Sequence, residues 1–582
     1  MKKKINHKTI KNYSLKIGKF FIKKNIGYVI PYNKTLKNII FIHKKFYLGA
    51  ISGQIVLVST TYSAKEYKTN GKIIKILGNS ITTEIETKAI ILSNKIPYKW
   101  PKKILTETKK IPQYIKKSEF KKRKDLRKIP FITIDNENAQ DLDDAIYCKQ
   151  TPKKNYQLYV AIADVSHYIP INSLIDKEAA KRGNSIYFPN KVIPMLPEKL
   201  SNNICSLLPN KDRLCIIIEI NIHKNGKINN TYFYKGIFRS YAQLTYNQVN
   251  KWINAKNIDN KHKKNWTIIK KLYQLKQILL KNRKLRGALK LNNTDISLKL
   301  NTEKKIKKII SVKKNDAHDI IEECMLMVNT EIAKLLIKYK IPSIYRIHEN
   351  PDKKKIKKLF LFLNRIGFET KNNKLIESKD IQKIINEIHK KPKYYFLEST
   401  IIKSMKRAKY SEKNIGHFGL AYKEYTHFTS PIRRYSDLLI HRAISHIIEY
   451  KSSKNFYYSQ TDIKKLSKHC SFTEKRSDKV TKNLILWLKC NFLQKKIGKQ
   501  IQGTIISITH FNIIVDLKKW HLKGIIYIKT LKDDHYIFNN IKYNLIGKKN
   551  KNIYNLGDTI NVSITNININ KKKVILQLIN KL

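Results

Sequence analysis

The chain has 582 residues and a formal net charge of +75, from 118 Lys+Arg against 43 Asp+Glu. That length leaves room for several domains with sizeable cores, and that charge favours a polyanionic partner, a nucleic acid or an anionic membrane surface. Lys, Asn and Ile are all abundant, as an AT-rich genome dictates, so codon drift explains much of the lysine excess equally well.

No segment reaches the roughly 18 apolar residues of a membrane span. The basic start, residues 1–8, is followed by no apolar signal region. The six cysteines, Cys148, Cys205, Cys215, Cys324, Cys470 and Cys490, form no C-x-x-C pair. They read as scattered reduced thiols rather than a zinc site. A soluble, cytoplasmic protein with no membrane partner is expected.

Residues 17–22 and 26–31 read as two strands joined by a turn, and residues 39–42 and 54–58 as two more, with Gly49 and Gly53 between them. A small β-barrel fits, and Phe and Tyr beside its lysines suit base stacking. An ordinary barrel with a core of aromatics fits as well. Residues 98–127, lysine-rich and polar, read as a linker with short helices. In the central block, residues 158–163 and 214–218 look like buried strands. Ile320, Ile321, Cys324, Met325, Val328, Ile332 and Leu335 recur at helical spacing and read as core. From about Gly498 the pattern returns to short strands at 502–506, 513–516, 524–528 and 573–578, a second small barrel. No glycine-rich phosphate loop, G-x-S-x-G motif or long internal repeat is present.

Against this basic background stands Thr133-Ile134-Asp135-Asn136-Glu137-Asn138-Ala139-Gln140-Asp141-Leu142-Asp143-Asp144. Two carboxylates about 4 Å apart repel by roughly 4 kcal/mol at an effective dielectric near 20. A fold that gathers several of them needs cations, and a hard divalent ion such as magnesium suits oxygen ligands. An EF-hand loop is excluded, because its glycine and glutamate positions hold Gln140 and Ile146. A solvated acidic turn would not need the interleaved Ile132, Ile134, Leu142, Ala145 and Ile146.

A second constellation is His427-Phe428-Thr429-Ser430-Pro431-Ile432-Arg433-Arg434-Tyr435. Ser430 followed by Pro431 reads as an N-cap and first helical position. Two arginines in a first helical turn oppose the helix dipole, and a bound phosphate would resolve the conflict. Arginines paired with acids elsewhere are the alternative. Third, Ser185-Ile186-Tyr187-Phe188-Pro189, leading to Val192-Ile193-Pro194-Met195-Leu196-Pro197, reads as a stiff extended wall with an aromatic for stacking, or else a packed loop.

These segments, in this order, resemble the RNB (ribonuclease II/R) family of exoribonucleases, and within it the bacterial R branch. The acidic signature matches Asp135, Asp141, Asp143 and Asp144, and the proline–arginine signature matches Thr429-Ser430-Pro431-Ile432-Arg433-Arg434-Tyr435. Asn414-Ile415-Gly416-His417-Phe418-Gly419-Leu420-Ala421-Tyr422, Asn315-Asp316-Ala317-His318-Asp319-Ile320-Ile321-Glu322-Glu323 and Tyr345-Arg346-Ile347-His348-Glu349 are similar to the R branch too. The resemblance implies a multidomain α+β chain. A cold-shock OB-type barrel would span 14–95, a linker 96–127, an α/β RNB catalytic domain 128–450, a helical connector 451–497 and an S1 OB-type barrel 498–580.

The resemblance also implies activity: processive 3′–5′ hydrolysis of RNA to nucleoside 5′-monophosphates, in RNA decay and maturation. Asp135, Asp141 and Asp144 would hold Mg2+. Asp143, Asp141 and Arg433 would be catalytic. Tyr187, Tyr345, Arg434 and Phe511 would bind RNA, single-stranded or structured with a 3′ overhang, and the protein would act as a monomer. The sequence departs from the R-branch pattern. There is room for one cold-shock domain instead of two, and neither an N-terminal helical segment nor a long basic tail is expected. His510-Phe511-Asn512 stands at a usual Gly-Phe-Gly turn, and Asn138 and Gln140 replace a more usual acid and base. The alternatives are a ribonuclease II-like enzyme limited to single strands and a non-catalytic RNA-binding protein. Intact acids and Arg433 argue against the latter.

Overall fold

The structure, a computed structural model, describes residues 14–32, 39–63, 68–255, 263–291, 295–370 and 376–581. The basic residues 1–8 and the terminal Leu582 lie outside them. Five strands close the first barrel in the order Ser14–Lys23, Ile26–Pro31, Ile40–Ile42, Lys68–Gly78, Ile55–Ser63. The third and fourth of these run parallel, Ile40 to Ile42 lying on Thr69 to Gly71. Side-chain alternation sorts this barrel's residues. The cross-strand partners Phe20 and Val29 are fully buried, whereas the next pair, Phe21 and Tyr28, stack outside at 5.6 Å with the Lys19 ammonium over Phe21. The two readings of the aromatics therefore divide one strand between them.

The second barrel repeats this wiring with Gln500–Ile508, Asn512–Leu517, Leu522–Tyr527, Lys573–Lys581 and Thr559–Asn568. The strand Thr559–Asn568 escaped the sequence reading. Its buried Ile560, Val562 and Ile564 do alternate, but they are separated by Asn, Ser and Thr in a chain rich in such residues. A three-stranded insert, Tyr536–Asn539, Asn544–Gly547 and Ile553–Tyr554, was also unforeseen.

Between the barrels lies a seven-stranded sheet, ordered Ala242–Thr245, Ile132–Asp135, Asp144–Gln150, Tyr156–Ala163, Asp212–Ile222, Ile228–Arg239, Lys124–Asp125. Its last edge strand falls inside the segment read as linker. The inner strands Tyr156–Ala163 and Asp212–Ile222 are buried almost throughout, which explains their near-continuous apolar runs. The helices Lys263–Arg286 and Asp316–Lys338 share the sheet's core. The latter starts on a capping box between Asn315 and His318.

A 35-residue helix, Gln460–Gln494, acts as a spine. Its Val480, Leu484, Trp487 and Leu488 share one apolar cluster with Ile90 and Ile91 of the helix Thr83–Ser93, and with Ile186, Phe188 and Ile193 of a short hairpin. Among the described residues, no helix is long and apolar enough to cross a membrane.

The helix Leu174–Arg182 is tied to the helix Tyr435–Tyr450 by a buried pair, Arg442 to Asp176 at 2.7 Å, with the Tyr435 hydroxyl donating to the same carboxylate oxygen at 3.0 Å. Removing one partner of such a pair strands the other charge in the core. Asp176→Ala is expected to destabilise the central domain by about 3 kcal/mol, measured as a lowered midpoint of urea unfolding.

Candidate active site

The acidic stretch is a connection between neighbouring strands. Asp135 ends the strand Ile132–Asp135, and Asp144 begins the antiparallel strand Asp144–Gln150, so the sheet places the two carboxylates at the same end. The intervening loop is pinned at several points. The Ser206 hydroxyl donates to the Gln140 carbonyl at 2.6 Å and accepts from the Leu142 amide at 3.1 Å. Asn202 donates to the Gln140 side chain at 3.0 Å, which gives that departure from the family pattern a local role.

The proline–arginine segment closes over this loop. The Ile432 amide donates to Asp143 Oδ1 at 2.9 Å, and Arg433 Nε lies 3.5 Å from Asp143 Oδ2. The expected helix start at Ser430 and Pro431 is incorrect. Residues 430–434 form a turn, and the helix begins at Tyr435 with Arg434 at its N-cap. The cause is Asp437 in the first helical turn. It accepts the Ser430 amide at 2.9 Å and the Arg434 guanidinium at 2.7 Å, so the acid that the dipole favours is present within the helix itself.

The two arginines thus divide. Arg434 is committed to the fully buried Asp437 rather than left free for RNA, while Arg433, with a half-exposed side chain, faces the cavity. The turn is held from behind by residues 183–185. Ser185 donates its amide to the Arg433 carbonyl, and the Gly183 carbonyl accepts from Tyr435. Gly183 has φ +75°, and a Cβ there would meet Thr473 Oγ1 at 2.1 Å, so this crossing under the spine helix requires glycine.

The resulting cavity, about 1050 Å3, is lined by Asp135, Asp141, Asp143, Asp144, Tyr187, Arg433 and Arg434 together with residues the sequence reading missed. Burial, reinforced by Asp135, pushes the Asp144 carboxyl up to about 7. Burial also raises Asp143 well above the ordinary range, with Asp141 and Asp144 adding repulsion against the opposing pull of Arg433. Asp135 is raised chiefly by burial. Crowded oxygen donors with one nearby guanidinium fit a hard divalent cation. Among the described residues, no three such side chains are drawn into a ready-made coordination shell.

Tyr187 sits in the hairpin Ile186–Phe188 with Lys191–Ile193. Ile186 and Phe188 enter the core against the spine helix, so strand alternation turns Tyr187 outward at 41 % exposure. Hairpin pairing and core contacts, more than the prolines, make this wall stiff. The Tyr187 hydroxyl donates to Asp141. Phe511, on the loop after the strand Gln500–Ile508, is 78 % exposed. Tyr345 is 7 % exposed and does not line the cavity; in the strand Tyr345–Ile347 it points inward while Arg346 reaches Glu474. It offers no free face to a base, which corrects the expectation for that residue.

Of the missed residues, Tyr246 was reachable only through pairing. It follows Thr245, whose strand runs parallel to Ile132–Asp135 with Thr245 opposite Asp135. Ile321 and Met325, read as core, line the cavity with Glu322 and Asn329, so one flank of that helical stripe forms the wall. The two arginines make a direct test. Arg434→Ala is expected to lower the thermal midpoint by several degrees because it strands Asp437. Arg433→Ala should lower that midpoint less, because Asp143 keeps the Ile432 amide and can take up a proton, and equal shifts in the two variants would refute this division.

Comparison with known proteins agrees with this arrangement. The RNB domain family matches residues 123–450, the cold shock domain family 28–101 and the S1 RNA binding domain family 494–579. A ribonuclease R of Buchnera aphidicola subsp. Acyrthosiphon pisum is 38 % identical over 97 % of this chain and 79 % of its own length. The structure of Mycoplasma genitalium RNase R in its apo form superposes with a TM-score of 0.89 at 30 % identity, over 97 % of this chain and 90 % of that one. The same Mycoplasma enzyme has also been solved with ribose-methylated single-stranded RNA and with double-stranded RNA. Yeast Ssd1, a pseudonuclease, shares the fold at a TM-score of 0.73 and 16 % identity over 91 % of this chain and 67 % of that one. With four aspartates and the arginine turn converging on one cavity, and the RNB match covering more than half its length, the chain belongs to the RNB family of ribonucleases, and its relatives are ribonucleases R.

Proposed function

We propose that the chain is a processive 3′–5′ exoribonuclease that hydrolyses RNA to nucleoside 5′-monophosphates with the help of magnesium. One observation carries the reading: four aspartates and a half-exposed arginine line a single cavity beside an outward-facing tyrosine. Fold alone would not decide it, since a pseudonuclease shares the fold. The intact carboxylates favour catalysis over RNA binding alone.

Asp135, Asp141 and Asp144 would hold the magnesium ion, which when bound supplies charge neutralisation and a more acidic water. Asp143 would orient the attacking water and take up its proton at Oδ2. Arg433 meets the charge that grows on the phosphoryl oxygens. The water oxygen bonds to phosphorus as the bond to the upstream 3′ oxygen breaks; that oxygen takes a proton from solvent and becomes the 3′ hydroxyl of the shortened RNA, and the released nucleotide keeps its 5′ phosphate. Tyr187 stacks the terminal base while its hydroxyl holds Asp141 in place. The half-buried Phe21–Tyr28 stack and the exposed Phe511 on the two barrels would guide the strand inward. The Mycoplasma relative solved with double-stranded RNA favours structured RNA with a 3′ overhang as a substrate, over a restriction to single strands.

Asp143→Asn keeps the bond from Ile432 but loses the charge opposite Arg433. It is expected to bind RNA normally and to cut at least a thousandfold more slowly in a single-turnover assay; near-normal turnover would sink the assignment. Tyr187→Ala should leave a longer final fragment on a sequencing gel, because the stack on the terminal base sets the grip. RNA affinity should fall steeply with salt, giving a linear plot of log affinity against log salt. A flat plot would make the lysine excess compositional drift.

A further inference from the structure

His427 lines the same cavity, and the mechanism above leaves it unused. Its ring is wedged between Tyr410 and Tyr425, each centroid 5.6 Å away and edge-on at 77° and 84°. The Tyr410 hydroxyl lies 2.9 Å from His427 Nδ1. Tyr410 is 6 % exposed, and among the described residues this imidazole is the hydroxyl's one hydrogen-bond partner. A buried phenol is the stronger donor and an imidazole nitrogen the stronger acceptor, so the bond runs O–H to Nδ1 and leaves the ring proton on Nε2.

The ring is held neutral by burial and by the nearby Arg434 and Arg346, which push its pKa well below the ordinary value. Both arginines are themselves paired, Arg434 with Asp437 and Arg346 with Glu474. Among the described residues Nε2 has no hydrogen-bond partner, and the half-buried His427 ring forms part of the cavity wall. The cavity wall also holds the uncharged Asn329, Tyr425, Thr429 and Ser430, whereas the half-exposed Arg433 faces the aspartates and is placed for a phosphate.

We propose that His427 is a substrate-binding residue whose Nε2–H donates a hydrogen bond to a ribose hydroxyl of the 3′-terminal nucleotide, with Tyr410 fixing the tautomer. This rests on the exoribonuclease reading above. The uncharged wall takes the sugar while Arg433 and the aspartates take the phosphate, so the two ends of one nucleotide are read by different chemistry.

The test is the rate of release of the first 3′ nucleotide, with magnesium and subsaturating RNA ending in an ordinary, a 2′-deoxy or a 3′-deoxy nucleotide. Wild type should slow about tenfold on one of the two deoxy ends, a typical effect of one lost hydrogen bond. His427→Phe should be about tenfold slower on the ordinary end and indifferent, within twofold, to the same deoxy end. His427→Gln retains a donor and should keep part of the discrimination, and Tyr410→Phe should weaken it. A wild type indifferent to both deoxy ends, or a His427→Phe variant that is as fast or as discriminating as wild type, overturns the proposal. If His427→Phe fails to fold, full discrimination by both His427→Gln and Tyr410→Phe does the same. A wild type that releases nothing from any end removes the exonuclease reading, and this proposal with it.

Discussion

Asp143 accepts the Ile432 amide across a sequence separation of 289 residues and faces Arg433 with its second oxygen. A lone carboxylate at that depth would cost several kcal/mol, and here an amide dipole and a guanidinium offset part of that cost. The bond fixes more than one side chain. It sets the arginine turn against the acidic loop, and so determines where a phosphate meets Arg433 and where water meets the carboxylates. The remaining repulsion among Asp135, Asp141, Asp143 and Asp144 is left for a cation to relieve.

Everything around that junction keeps it from shifting. Ser206 and Asn202 grip the acidic loop from one side. Asp437 grips the arginine turn from within the following helix, and residues 183–185 support it from behind. The Tyr187 hairpin is anchored to the spine helix by Ile186 and Phe188, and the same cluster includes the helix that follows the first barrel. RNA-binding surface and chemistry are thus joined by one apolar seam, an arrangement suited to a strand that must advance one nucleotide per cycle in fixed register.

The local patterns were legible in the sequence, and the pairings mostly were not. The acids stood out because they oppose the charge of the chain, and the buried strands because they are continuous apolar runs. Both barrels showed in their period-two runs, though Lys68–Gly78 was not read as a strand and Thr559–Asn568 was hidden by its Asn, Ser and Thr. Tyr246 could not be found without knowing that Thr245 lies beside Asp135. The helix expected from Ser430 begins at Tyr435 instead, because Asp437 draws both the Ser430 amide and the Arg434 guanidinium. Tyr345 looked like an available aromatic, but strand alternation turned it into the core. Each of these outcomes depends on a partner distant in sequence, which motif spacing does not encode.

The most direct test of the account is a time course with magnesium and 5′-labelled RNA, single-stranded or carrying a duplex with a 3′ overhang, comparing wild type with Asp143→Asn. The account predicts progressive shortening of both RNAs to a fragment of a few nucleotides by wild type, and intact RNA that remains bound by the variant. Shortening by Asp143→Asn at the wild-type rate, or binding without any shortening by wild type, would contradict it.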